Sequence, residues 1–148
     1  MNKPISISVY GIVLPNRPLT NVELIDSVKK LRIPRFRGVF VRDALPQKPN
    51  KNESGILNLD DSSGNGTHWV LWHRNNNKNF YFDSYGIQPP LELYQYLKSS
   101  IFYNTEKNST KRRSILWAFV FACIKTIIIR MSSSRNHEQF TLNNFTII

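Results

Sequence analysis

Two residues in this chain have the types and spacing to do proton chemistry together. His68 lies in Gly64-Asn65-Gly66-Thr67-His68-Trp69, where a glycine-bearing loop delivers an imidazole to the start of an apolar run. Fifteen residues on, Asp83 closes a second run in Tyr81-Phe82-Asp83-Ser84-Tyr85-Gly86. If the runs are the two strands of a hairpin, its far end returns beside its start and the side chains can meet. A carboxylate accepting the Nδ1 hydrogen of a histidine fixes the tautomer and supports the imidazolium, as a general base in acyl transfer requires. The same spacing also fits a purely structural histidine–aspartate hydrogen bond, and spacing alone does not separate the two.

The elements that must position the pair are legible around it. His68-Trp69-Val70-Leu71-Trp72 and Phe80-Tyr81-Phe82-Asp83 are apolar strand runs, joined through Asn75-Asn76-Asn77-Lys78. Asparagine tolerates positive φ, so this stretch predicts a tight turn and an antiparallel hairpin. Gly55-Ile56-Leu57-Asn58-Leu59 predicts a third strand, and Phe36 to Arg42 a fourth, followed by a polar loop from Pro46 to Asn52. Val22, Ile25, Val28 and Leu31 recur at helical spacing after Thr20 or Asn21, either of which can cap a helix that Pro34 ends. Pro89-Pro90 predicts another helix over Leu91 to Leu97, with Leu93, Tyr94 and Leu97 on one face. The alternating Ile5 to Val13 suggests an exposed strand or arm. Trp69, Trp72, Phe80 and Phe82 read as core or sheet aromatics, and His73 as a solvated strand end. Together these predict an α+β domain, a small, mostly antiparallel sheet flanked by helices.

Composition bounds what such a domain can do. A chain of 148 residues with 41% hydrophobic residues can bury one core. Its one cysteine, Cys123, excludes a disulfide framework, and three histidines beside it make a structural zinc site unexpected. A reducing, intracellular setting is expected, and no basic-then-apolar leader opens the chain. The net charge of +10 is unevenly spread: residues 1–106 hold thirteen Lys/Arg against nine Asp/Glu, and residues 107–148 hold seven against one. Lys111, Arg112 and Arg113 allow a nucleic-acid-binding reading, which a solvated tail explains equally well. Ile115 to Ile129 is apolar but spans fifteen residues interrupted by Lys125, so it predicts a buried helix rather than a membrane span.

Beyond spacing, Gly66-Thr67-His68-Trp69-Val70, the strand pair, and Tyr81 to Gly86 with Pro89-Pro90 resemble the adenovirus-type (adenain-like) cysteine proteases of the papain-like clan, including viral and transposon relatives. The similarity runs from about Leu19 to Glu106. The resemblance implies a papain-like cysteine protease fold, His68 as general base, Asp83 as its orienting acid, and a loop from Asn58 to Ser63 bordering the substrate cleft. It also implies a polypeptide substrate, namely viral or transposon structural proteins, with DNA as a further partner. A nuclear or virion-associated location follows from it as well. No cofactor, no membrane contact and a monomer are expected.

The family then requires a glutamine for the oxyanion hole and, shortly after, a Cys-Gly that opens a buried helix. In this chain the nucleophile slot holds Leu116 or Trp117, the glycine slot Ala118, and the glutamine slot Ser109 or Thr110. Cys123 falls beyond the slot, inside the apolar run, where a structural thiol is expected. The chain therefore predicts a base without its nucleophile: an inactive cysteine endopeptidase, or a pseudoprotease that binds a protein or peptide. Codons allowed for Leu116 to Phe121, read one base later, permit Cys-Gly-His-Leu-Cys-Leu, and the same shift permits glutamines from Asn108 to Lys111. The expected division is a protease domain over 1–106 and, over 107–148, an aberrant segment in place of the nucleophile helix, which one extra base near Glu106-Lys107-Asn108 would explain as a frameshift.

Overall fold

The computed structural model describes residues 7–9, 12–14, 17–66 and 68–105. The nucleophile slot at Leu116 and Trp117 lies outside the described residues. So do Ser109, Thr110, Ala118, Cys123, His137, the basic Lys111 to Arg113 and the apolar run Ile115 to Ile129.

The chain opens with two short strands, β1 (Ile7–Val9) and β2 (Ile12–Leu14), paired antiparallel. The single alternating arm expected there is thus folded back on itself, with Val9 opposite Ile12. Helix α1 (Asn21–Leu31) follows, capped by Thr20 rather than Asn21. Thr20 Oγ1 accepts the Glu23 N–H and Glu23 Oε2 accepts the Thr20 N–H at 2.8 Å, so two of the helix's orphan donors satisfy each other's residues. The Arg17 guanidinium, paired with Glu23 at 2.6 Å, is the main reason that this carboxyl falls to about 2; the Thr20 N–H adds to it.

A five-stranded mixed sheet forms the body, in the order β3 (Phe36–Val41), β4 (Asn52–Asn58), β5 (Trp69–Asn75), β6 (Lys78–Phe82) and β7 (Ile101–Tyr103). The central strand β5 is antiparallel to β4 and β6 on either side, but both edge strands run parallel to their neighbours. This departs from a mostly antiparallel sheet because parallel strands must be joined by a crossover. Residues 42–51 supply one. Helix α2 (Leu91–Leu97) supplies the other, carrying the chain from β6 back to β7. The β5–β6 hairpin matches expectation, with Asn75 opposite Lys78 and Asn76 at φ 54° in the corner.

Because strand side chains alternate, the sheet has two apolar faces, and a helix covers each. Leu24, Val28 and Leu31 of α1 pack with Leu19, Ile33, Ile56 and Leu71. Leu93, Tyr96 and Leu97 of α2 pack with Leu57, Val70, Trp72, Tyr81 and Ile101. Tyr96 takes the buried place expected of Tyr94, which is only partly buried. Among the described residues no helix is long and apolar enough to cross a membrane.

The α2 face contains a buried carboxylate. Glu53 Oε1 accepts from the Trp72 indole at 3.1 Å and from the Tyr96 hydroxyl at 2.6 Å, and Oε2 accepts the Asn50 N–H at 2.9 Å. Arg37 lies at 3.7 Å from Oε2. The Glu53 network anchors β4, α2 and the Trp72 ring to one another. Burial, reinforced by the Glu53 carboxylate, pushes the Tyr96 hydroxyl up.

Candidate functional site

The strand register explains how the pair meets. Leu71 faces Phe82, so His68 precedes β5 and Asp83 follows β6 at the same end of the hairpin. His68 Nε2 lies 2.5 Å from Asp83 Oδ1. The sequence placed them together correctly, but through the other nitrogen: Asp83 takes Nε2, not Nδ1. A neutral imidazole that donates from Nε2 keeps its lone pair on Nδ1, which makes Nδ1 the basic atom.

The two members are unequally exposed, at 21% for the His68 side chain and 0% for Asp83. Burying a carboxylate is costly unless its oxygens are satisfied, and here they are. Oδ1 also accepts the Tyr85 N–H at 3.0 Å, and Oδ2 accepts the Ile87 N–H at 3.2 Å. A turn closes behind it, with the Gly86 N–H donating to the Asp83 carbonyl at 3.0 Å and Gly86 itself at φ 68°. The Tyr85 ring lies against the imidazole, centroids 4.7 Å apart at 49°. His68 is thus held from one side by a fixed acceptor and from another by an aromatic face.

The loop expected to border the cleft leaves β4 directly beside His68. The Leu59 N–H donates to the His68 carbonyl at 2.8 Å, so the base and the loop share a backbone bond. Asn58, buried, accepts the Asp60 N–H at 2.9 Å, and Gly66, at φ 81°, donates its N–H to Asp60 Oδ2 at 3.1 Å. Ser62 is tied to Asp43 by its N–H and its hydroxyl, at 2.8 and 2.6 Å. Asp61 Oδ1 in turn accepts the Ser63 N–H at 3.0 Å and its hydroxyl at 2.5 Å, so both acidic side chains of the loop are engaged in local bonds. Among the described residues no group of three or more His, Cys, Asp or Glu side chains could hold a metal ion.

Sequence reasoning missed one participant. Asn104, just past β7, accepts the Asp83 N–H on Oδ1 at 2.9 Å and donates from Nδ2 to the Asp83 carbonyl at 2.6 Å. The apolar Ile101-Phe102-Tyr103 run before it is the only local hint of the strand that delivers it.

His73 also differs from expectation. It lies within β5, half-buried, with Nδ1 2.7 Å from Ser54 Oγ and its ring stacked on Phe80. Burial, with a smaller contribution from Arg35, lowers it to about 4 from an ordinary value of 6.5. The unfolded chain therefore takes up a proton between pH 6.5 and about 4 that the folded chain refuses, and stability falls as pH falls through that window. At about 1.4 kcal/mol per unit this amounts to about 3 kcal/mol. Urea unfolding from pH 7 to 4 should show the loss in the native chain and lack it in His73→Gln. A gap between the two proteins that stays constant with pH would contradict the assignment.

Comparison with known proteins adds little to this geometry. No protein-family model matches the chain, and no curated protein matches it. Among solved structures, the ASFV pS273R protease is similar over 60% of this chain and 40% of its own, at 18% identity and a TM-score of 0.38. The chain thus spans less than half of that protein.

Proposed function

We propose that the chain carries the base and orienting acid of a cysteine endopeptidase site of the adenovirus-protease type, and that as written it lacks the nucleophile. The observation that carries this reading is the His68 Nε2 to Asp83 Oδ1 contact of 2.5 Å, made by a carboxylate sealed at 0% exposure. That arrangement leaves Nδ1 basic and holds the ring in one orientation, which is what a base serving a thiol must have. In the intact site, Nδ1 would take the thiol proton, the thiolate would add to a peptide carbonyl, and the resulting imidazolium would then protonate the leaving amine. Asp83 would orient the ring and stabilise its charged form throughout. The substrate class, viral or transposon structural polypeptides, follows from the sequence resemblance alone.

With Leu116 or Trp117 in the nucleophile slot of the sequence, the chain is expected to show no turnover of a fluorogenic peptide panel, since the nucleophile contributes most of the rate. Turnover abolished by Cys123→Ser would overturn this. The gene sequence across codons 104 to 120 tests the frame. If the codons spell Gln and Cys-Gly one base later, deleting one base within codons 106 to 108 should yield a peptidase that His68→Ala inactivates. A second reading, a peptide-binding pseudoprotease, is favoured by the exposed apolar side chains of Tyr85 and Ile87, at 45% and 53%, in the loop that follows Asp83.

A further inference from the structure

We propose that Asn104 is a positioning residue for the His68–Asp83 pair, a role that rests on the reading of that pair as a catalytic base and its orienting acid. Asp83 stands one residue beyond the last residue of β6. In the parallel β6–β7 ladder Tyr81 is opposite Tyr103, and no residue beyond this rung is paired. An extended residue that overshoots its partner strand normally leaves its N–H and C=O to solvent or to a side chain. Here the Asn104 carboxamide reaches both groups, accepting the N–H at 2.9 Å and donating at 2.6 Å to the C=O, which also accepts the Gly86 N–H of its own turn. One planar side chain thus replaces the next rung of the ladder.

The consequence for the site is directional. Apart from the contact with His68, Asp83 is held at its backbone by Asn104 and the Gly86 N–H, and at its carboxylate by two further donors, the Tyr85 N–H on Oδ1 and the Ile87 N–H on Oδ2. The last two come from the turn that Asp83 itself initiates, so they move with it. Asn104 instead comes from the end of β7, so it ties Asp83 to a third strand and helps to set where the turn stands relative to His68, just before β5. Among the side chains found here, only asparagine offers a short planar acceptor–donor pair of this span, as aspartate has no donor and serine no second planar arm.

The test uses the full chain labelled with 15N-histidine, the His68 signals being assigned by their loss in His68→Gln. Long-range 15N–1H spectra report which ring nitrogen carries the proton and how fast it exchanges with water. In the native chain the His68 proton is expected on Nε2 and protected. In Asn104→Ala, exchange of that proton should accelerate about tenfold or more, two hydrogen bonds having been removed from the acceptor's support. The His73 signals, on the same strand, should stay where they are. Asn104→Asp keeps the acceptor for the Asp83 N–H and loses the donor to the carbonyl, so its exchange should fall between the two.

Protection unchanged in a folded Asn104→Ala, with only a lower melting temperature, assigns Asn104 a structural role and overturns the proposal. Should the alanine variant not fold, unchanged protection in Asn104→Asp does the same. A native chain whose His68 proton sits on Nδ1 would instead overturn the reading of the pair itself.

Discussion

Asp83→Ala should destabilise the protein by about 3 to 5 kcal/mol, because one truncation strands three donors at once. The Tyr85 and Ile87 N–H groups and His68 Nε2 all point at this buried carboxylate. Alanine offers none of them an acceptor. Asparagine is a more telling replacement, since it preserves shape and fails on chemistry. With its oxygen toward His68 and Tyr85, its NH2 faces the Ile87 N–H. When flipped, it faces two donors instead of one. Asp83→Asn is therefore expected to lose about 1 to 3 kcal/mol, and to release the His68 ring from its single tautomer. Urea denaturation and imidazole 15N spectra measure the two effects. A loss below about 1 kcal/mol in Asp83→Ala would show that the carboxylate is not the hub of this end of the sheet.

Gly55→Val should be comparably damaging for a reason remote from chemistry. Gly55 sits directly opposite Trp72 on the neighbouring strand, and the indole lies across it. A Cβ at position 55 would land inside the Trp72 six-membered ring. The ring has nowhere to go. It is 0% exposed, its indole N–H is held by Glu53 Oε1, and it packs edge-on against Tyr96 at 6.1 Å and 82°. Displacing it breaks the hydrogen bond to a buried carboxylate in addition to overpacking the core, so a loss of at least about 3 kcal/mol is expected. The cause can be isolated by a double-mutant cycle. With Trp72→Leu already present, Gly55→Ala should cost far less than it does alone. Simple additivity of the two changes would rule out the ring as the obstacle.

The parts of this architecture that sequence revealed are those governed by local rules. The hairpin was readable because asparagines mark a two-residue corner, and α1 because its apolar spacing begins at a capping threonine and ends before Pro34. The meeting of His68 and Asp83 followed from the hairpin alone, since both lie on continuous apolar runs. The ring nitrogen engaged was not readable, as it depends on the rotation of a side chain in three dimensions. Strand β7 escaped because three residues carry too little periodicity, and its place is fixed only by pairing with β6 after α2 has crossed over. Glu53 reads as part of a polar stretch, Lys51-Asn52-Glu53-Ser54, yet it is buried. The tertiary approach of Tyr96, Trp72 and Arg37, added to the local Asn50 N–H, makes that tolerable. His73 was misplaced for the same reason: the hydroxyl that partners it lies nineteen residues earlier, across a strand pair.

The parallel joining of β6 to β7 sets an order of assembly. A ribosome that has released the hairpin has already made both the imidazole and the carboxylate, but not the side chain that reaches the Asp83 backbone from β7. That contact comes only after α2 has been made and position 104 has followed it, some twenty residues later in the growing chain. The tie from position 104 to the Asp83 backbone therefore becomes available later in synthesis than the hairpin it supports.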